Sequence, residues 1–145
     1  MTELAAVFEK DLKKLKEEIL QYDSEDLLFK TVEGISNSGG NLSMHLCGNL
    51  RHFIGAVLGK SGYVRNREEE FSGRFSTQKL VEDIEEAIAV VKSTLSNLSE
   101  EDFSKTYPLQ VFGSEMSTQF FIYHLLGHLN YHLGQINYHR RLITN

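Results

Sequence analysis

A single proline, Pro108, stands among the 145 residues of the chain. Proline removes a backbone donor and clashes inside a helix, so its scarcity leaves room for long unbroken helices. The apolar spacing takes up that room. Leu4, Phe8, Leu12, Leu15, Ile19 and Tyr22 recur at helical spacing with Lys and Glu between them, which predicts an amphipathic helix over about residues 2–22. The stretch from Glu33 to Gly40 is rich in Gly, Ser and Asn and reads as a connector. Asn41 is placed to cap a second helix that runs apolar from Leu42 through Leu46, Leu50, Phe53, Ile54 and Val57 to Leu58 and stops near Gly59. Residues 60–75 are polar and charged and read as a long surface loop. Ser76 or Thr77 caps a third helix with the stripe Leu80, Ile84, Ala87, Ile88, Val91, Leu95 and Leu98. Residues 99–116 lack a helical period, and the alternation from Tyr107 to Phe112 fits either a small strand or an ordered loop. Ser117 caps the last helix, which meets no breaker but glycine up to about Thr144. The expected architecture is all-α: one four-helix-bundle domain over residues 1–145, with long loops between helices two and three and between three and four.

Composition narrows the function classes. A hydrophobic share of 41% and a charged share of 24% fit a soluble globular protein, and no run of 18 apolar residues offers a membrane span. The N-terminus turns charged at once, unlike a secretory signal, and the lone Cys47 cannot form an internal disulfide. A cytoplasmic location is therefore expected. The net charge of −5 is opposite to what a phosphate-binding surface needs, so nucleic acid is not an expected partner.

All six histidines fall in two helices: His45 and His52 in the second, His124, His128, His132 and His139 in the last. At about 100° per residue, the four of the last helix share one narrow face with Gln135. Histidines four apart have Cβ atoms about 5–6 Å apart, close enough to bind one ion at about 2.1 Å. His45, Asn49 and His52 likewise share a face of the second helix. A single histidine on a helix is usually a hydrogen-bonded packing residue. Four on one face, in a helix whose intervening Leu125, Leu126, Leu129 and Leu133 predict a largely enclosed element, would all need partners, and a shared divalent ion satisfies several at once. Spacing alone does not choose between the pairs His124/His128 and His128/His132.

Acids are absent from Asn41–Lys60 and from Ser117–Asn145. That excludes the Glu-x-x-His pairs of di-iron bundles and the His-Glu-x-x-His protease signature. Neither helix carries a proton acceptor for a metal-bound water. An ion held by neutral imidazoles remains a Lewis acid able to stabilise a thiolate.

The run His124-Leu-Leu-Gly-His128-Leu-Asn-Tyr-His132-Leu-Gly-Gln135, taken with Asn41-Leu-Ser-Met-His45-Leu-Cys-Gly-Asn49-Leu-Arg51-His52, resembles the DinB-like (DinB/YfiT) superfamily over essentially the whole chain. The resemblance implies a four-helix bundle with a divalent metal, zinc or nickel, on His45, His128 and His132. It also implies a homodimer, and a metal-dependent S-transferase acting on a small-molecule substrate with a low-molecular-weight thiol such as bacillithiol. The alternative is a non-enzymatic bundle whose ion is structural or sensed, in a stress-related role. The segment Val64–Phe71 resembles part of an uncharacterised branch of that superfamily, and its residues read as a solvated charge run.

Asn49, Gln135 and His124 are candidates to orient the metal ligands or a bound water. His139, beside Arg140 and Arg141 where a helix C-terminus favours cations, reads as a capping residue. Cys47 lies about 200° around the helix from His45 and reads as a packing residue. Gly48 and Gly55, and Gly127 and Gly134, predict smooth seams along which the second and last helices meet.

Overall fold

Residues 2–143 are described by the computed structural model, and among them there are seven helices and no strand. Four are long. They are α1 (Thr2–Leu20), α3 (Gly39–Leu50) with its π-wound continuation Arg51–Leu58, α5 (Thr77–Asn97) and α7 (Thr118–Ile143). Between them lie the short α2 (Glu25–Leu28), α4 (Arg67–Ser72) and α6 (Glu100–Ser104). The long four are those that the apolar spacing predicts, and they form the bundle. The predicted end of the last helix at Thr144 lies outside the described residues.

Each long helix buries the stripe its spacing defines. Phe8, Leu12, Leu15 and Ile19 of α1 are fully buried, as are Leu46 and Leu50 of α3, Leu80, Ile84 and Leu95 of α5, and Ile122, Leu129 and Ile136 of α7. Fully burying such a side chain contributes roughly 1.5–3 kcal/mol, so these stripes fix which face of each helix points inward. No helix is long and apolar enough to cross a membrane among the described residues.

Several boundaries differ from expectation for identifiable reasons. The N-cap of α3 is Ser38, whose Oγ accepts from Asn41 N at 3.1 Å, so Gly39 and Gly40 belong to the helix and not to the connector. A Cβ at Gly39 would lie 2.8 Å from Tyr22 Cζ, and one at Gly40 2.7 Å from the Phe29 ring, so the first turn of α3 is pressed where only glycine fits. Asn41, freed from capping, donates its Nδ2 to the carbonyls of Glu70 (3.1 Å) and Gly73 (2.9 Å). Residues 60–75 are therefore not merely a surface loop, because α4 is tied down onto α3. Ser76, not Thr77, caps α5. Tyr107 to Phe112 form a loop, and the isolated bridge Thr106–Ser117 pairs the residue before that loop with the residue before α7.

The glycine seams are not observed. Gly48 faces Glu70 and Gly55 faces Val90 of α5, while Gly127 and Gly134 look into open space. α7 is not enclosed either: Leu125, Leu129 and Leu133 are buried, but Tyr123, Tyr131 and Tyr138 stand exposed on its outer face.

His139 does not cap the end of α7. It is buried, takes hydrogen bonds on Nδ1 from the Tyr22 hydroxyl (2.7 Å) and Gly39 N (3.2 Å), and donates Nε2–H to Lys30 O (2.7 Å). It thus joins the ends of α1, α3 and α7 to the α2 connector.

At Gly59 the amide donates to Ile54 O, five residues back, closing the wide turns that follow α3. Tyr107, buried in the α6–α7 loop, donates its hydroxyl to Phe53 O at 2.6 Å inside that stretch. Removing it in Tyr107→Phe leaves the ring and loses one buried hydrogen bond, an expected cost of about 0.5–1.5 kcal/mol in urea unfolding. Unchanged stability would mean that the bond holds nothing in place.

Candidate metal centre

His45 comes from the middle of α3, and His128 and His132 from successive turns of α7, which packs against α3. One ring nitrogen of each lies within 4.8 Å of those of the other two. The ring centroids are 5.0 Å (His45–His128), 5.3 Å (His45–His132) and 4.6 Å (His128–His132) apart, with all three pairs edge-on. Donors bound to a single ion at about 2.1 Å can be at most about 4 Å apart, so a closure of less than about 1 Å is needed. Among the described residues no other His, Cys, Asp or Glu joins the group.

The protons are arranged for ligation. Glu70 Oε1 accepts from His45 Nδ1 at 3.0 Å, which leaves the His45 Nε2 lone pair pointing into the cluster. Gln135 Oε1 accepts from His132 Nδ1 at 2.7 Å and does the same for His132. A ring nitrogen's partner decides which nitrogen keeps a lone pair, so two of the three tautomers are set from outside the cluster. His45 Nε2 and His128 Nε2 are 3.2 Å apart, a separation that needs a proton or a cation between them. His128 Nδ1 is buried with no hydrogen-bond partner. The donor set, its burial and its fixed tautomers fit a borderline-soft divalent ion.

The electrostatics agree. Burial disfavours the imidazolium of His128, and the neighbouring His132, His45 and His124 and the Arg65 cation push the same way, so its pKa falls to about 4. His132 is also lowered, chiefly by burial and against the pull of Gln135. Near neutral pH both rings are uncharged, as ligation requires.

Glu70 was not foreseen in any role, and it corrects the view of Val64–Phe71 as a solvated charge run. Its side chain is buried, and Arg65 grips it with Nε on Oε2 and a terminal nitrogen on Oε1, both at 2.8 Å. Burial works against its ionisation, but the hydrogen bonds from His45 and Arg65 outweigh it and hold the carboxyl below the ordinary glutamate range. The two acid-free helices therefore do have a carboxylate at the site, delivered by α4. A signal for α4 was present: Asn66 with Glu69 three residues on is a helix-start pattern, and Asn66 Oδ1 does accept from Glu69 N at 3.2 Å.

The remaining candidates divide. Gln135 reaches His132. Asn49 is buried on α3, but its Oδ1 has no partner and it makes no hydrogen bond to the cluster. His124 is exposed, one turn beyond His128, with its ring 6.3 Å from that of His128 and edge-on to Phe112 at 4.7 Å. His52 lies two turns, about 10 Å, along the helix from His45 and rests on Phe53. Cys47 is buried and free, and burial pushes its thiol pKa far up, so it packs and does not react.

The family model described as "Protein of unknown function (DUF1572)" matches residues 2–145. The chain belongs to this family. Two solved structures share the fold of this DUF1572 protein. A conserved protein from Enterococcus faecalis superposes with a TM-score of 0.79 at 17% identity, covering 97% of this chain and 95% of that one. A DinB-like protein from Bacillus cereus superposes with a TM-score of 0.72 at 15% identity, covering 91% and 85%. The fold of the DUF1572 protein is thus DinB-like, as the histidine-bearing segments implied. No curated protein matches the chain in sequence.

Proposed function

We propose that this DUF1572 protein binds one divalent ion, zinc or nickel, through His45, His128 and His132 and works as a metal-dependent S-transferase on a low-molecular-weight thiol. The observation that carries the reading is the convergence of three imidazoles from two helices, two of them oriented by Glu70 and Gln135. When bound, such an ion lowers the pKa of a thiol and holds it as the thiolate nucleophile. Three protein donors leave a position for that thiol, because Glu70 is engaged by His45 and Arg65 and is not a competing ligand.

The chain's own residues do the rest. Glu70, buried and anchored by Arg65, keeps the His45 proton on Nδ1 and leaves Nε2 free to face the ion. Phe71, with its ring 4.8 Å from that of His45, screens this pair from water. Cys47 is too deeply buried to compete as a nucleophile. A reducing cytoplasm is the compartment that such chemistry needs.

Cobalt(II) reports both halves of the proposal. Cobalt-loaded protein titrated with glutathione, cysteine or bacillithiol is expected to develop sulfur-to-cobalt charge-transfer absorption, and His132→Ala is expected to show none. A loaded parent that stays spectrally silent with every thiol would reject the transferase half and assign the ion a structural or sensing role.

A further inference from the structure

Three side-chain polar atoms among the described residues are buried without a hydrogen-bond partner: Ser43 Oγ, Asn49 Oδ1 and His128 Nδ1. Leaving a buried polar group unpaired costs free energy, so each calls for a reason. Ser43 lies about 200° around α3 from His45 and is turned away from the cluster. Asn49 and His128 share the seam between α3 and α7. His45 packs beside His128 and Phe53 beside Phe121, with ring centroids 5.0 and 5.1 Å apart, so the two helices run antiparallel. Asn49 is one turn beyond His45 and about 40° around the helix, on the stretch between those two contacts. Side chains tilt towards the N-terminus of their own helix. In an antiparallel pair that tilt carries Asn49 back towards the level of His128, and His128 towards the level of Asn49.

The protons explain why the two do not bond. His45 gives its Nδ1 proton to Glu70, so its Nε2 is a bare acceptor. The 3.2 Å to His128 Nε2 is therefore bridged by a proton on His128 Nε2. An uncharged imidazole carries one ring proton, which leaves His128 Nδ1 bare as well. Asn49 Oδ1 also only accepts, and two acceptors cannot pair.

We propose that Asn49 is a positioning residue of the metal-loaded state, its Oδ1 accepting the proton that His128 carries on Nδ1 once an ion has taken the Nε2 lone pair. The His128 ring stays neutral throughout. Its Nε2–H bond is broken, an Nδ1–H bond forms by exchange with water, and no net proton is taken up or released. Two buried orphans of the metal-free molecule thereby become one hydrogen bond. Each ligand then has its own partner: Glu70 for His45, Gln135 for His132 and Asn49 for His128. The same account says why an amide stands at a position only 7% exposed, between the fully buried Leu46 and Leu50. The inference rests on the metal reading proposed above.

The two states ask opposite things of position 49, and the test uses that. Asn49→Leu keeps the approximate shape but removes an oxygen that is unpaired without metal and paired with it. The metal-free variant should melt about 2–4 °C above the metal-free parent. Its zinc affinity, by competition titration against a chromophoric chelator, should fall about 10–100-fold. Asn49→Asp keeps the acceptor and should hold zinc at least as tightly as the parent. In long-range proton–nitrogen spectra of the full chain, His128 Nδ1 should change from bare to proton-bearing when the parent is loaded with zinc. That spectrum needs no substitution, so it decides the point even if Asn49→Leu fails to fold. Parent-like zinc affinity in Asn49→Leu, an equal loss in Asn49→Leu and Asn49→Asp, or a bare His128 Nδ1 in the loaded parent would each overturn the role of Asn49 and leave the metal site standing. A parent that takes up no zinc, nickel or cobalt would overturn both.

Discussion

Protein purified without a histidine tag is expected to contain nearly one equivalent of zinc or nickel, and His45→Ala, His128→Ala and His132→Ala are each expected to lose most of it. The three nitrogens lie within 4.8 Å of one another and, among the described residues, no further His, Cys, Asp or Glu joins the group, so none of these replaces a lost donor. Elemental analysis of the four proteins measures the effect directly. Thermal unfolding provides a second readout. A ligand held at about 1,000 times its dissociation constant stabilises the folded state by about 4 kcal/mol, so chelation should lower the melting temperature of the parent and leave the variants unmoved. His52→Ala, altered two turns away, should keep its metal. Metal retained in all three cluster variants would falsify the ligand set, and with it any catalytic reading of the site.

The bundle was legible because it is encoded locally. Phe8, Leu12, Leu15 and Ile19 announce the buried face of α1 by spacing alone, and Ile84, Ala87, Val91 and Leu95 do the same for α5. His128 and His132 were legible as a pair for the same reason, since i and i+4 are neighbours on any helix. His45 is 83 residues from His128, and no local rule links them. Its assignment came from a family resemblance, and the structure does bring it to the pair.

Glu70 and Arg65 were illegible for a different reason. Their meeting with His45 depends on the path of residues 59–66 and on Asn41 clamping the far side of α4, neither of which leaves a periodic trace. A charged run was therefore read as solvated when its third glutamate is buried. The glycine seams failed by a related error. Spacing shows that Gly48 and Gly55 share a face, but not what presses on it, and what presses on Gly48 is the Glu70 side chain rather than α7.

That contact carries the second large expected effect. A Cβ at position 48 would collide with Glu70 Oε2 and lie 2.6 Å from its Cδ, so Gly48→Ala must displace the carboxylate. The tip of a free glutamate would swing aside cheaply. This one is buried, held by two bonds from Arg65 and one from His45, and moving it breaks that set and frees the His45 tautomer. Loss of such an outer partner typically costs 10–100-fold in metal affinity, so Gly48→Ala and Glu70→Gln are both expected to weaken cobalt(II) binding by about that factor. Glu68→Gln, an exposed neighbour with the same change of charge, should leave affinity unaltered. Competition titration against a chromophoric chelator measures all three. Parent-like affinity in Glu70→Gln would show that the carboxylate merely fills the space beside Gly48. A loss in Gly48→Ala that vanishes in the Gly48→Ala/Glu70→Gln double variant's comparison with Glu70→Gln alone would show that the glycine acts through Glu70, because two changes on one path do not add.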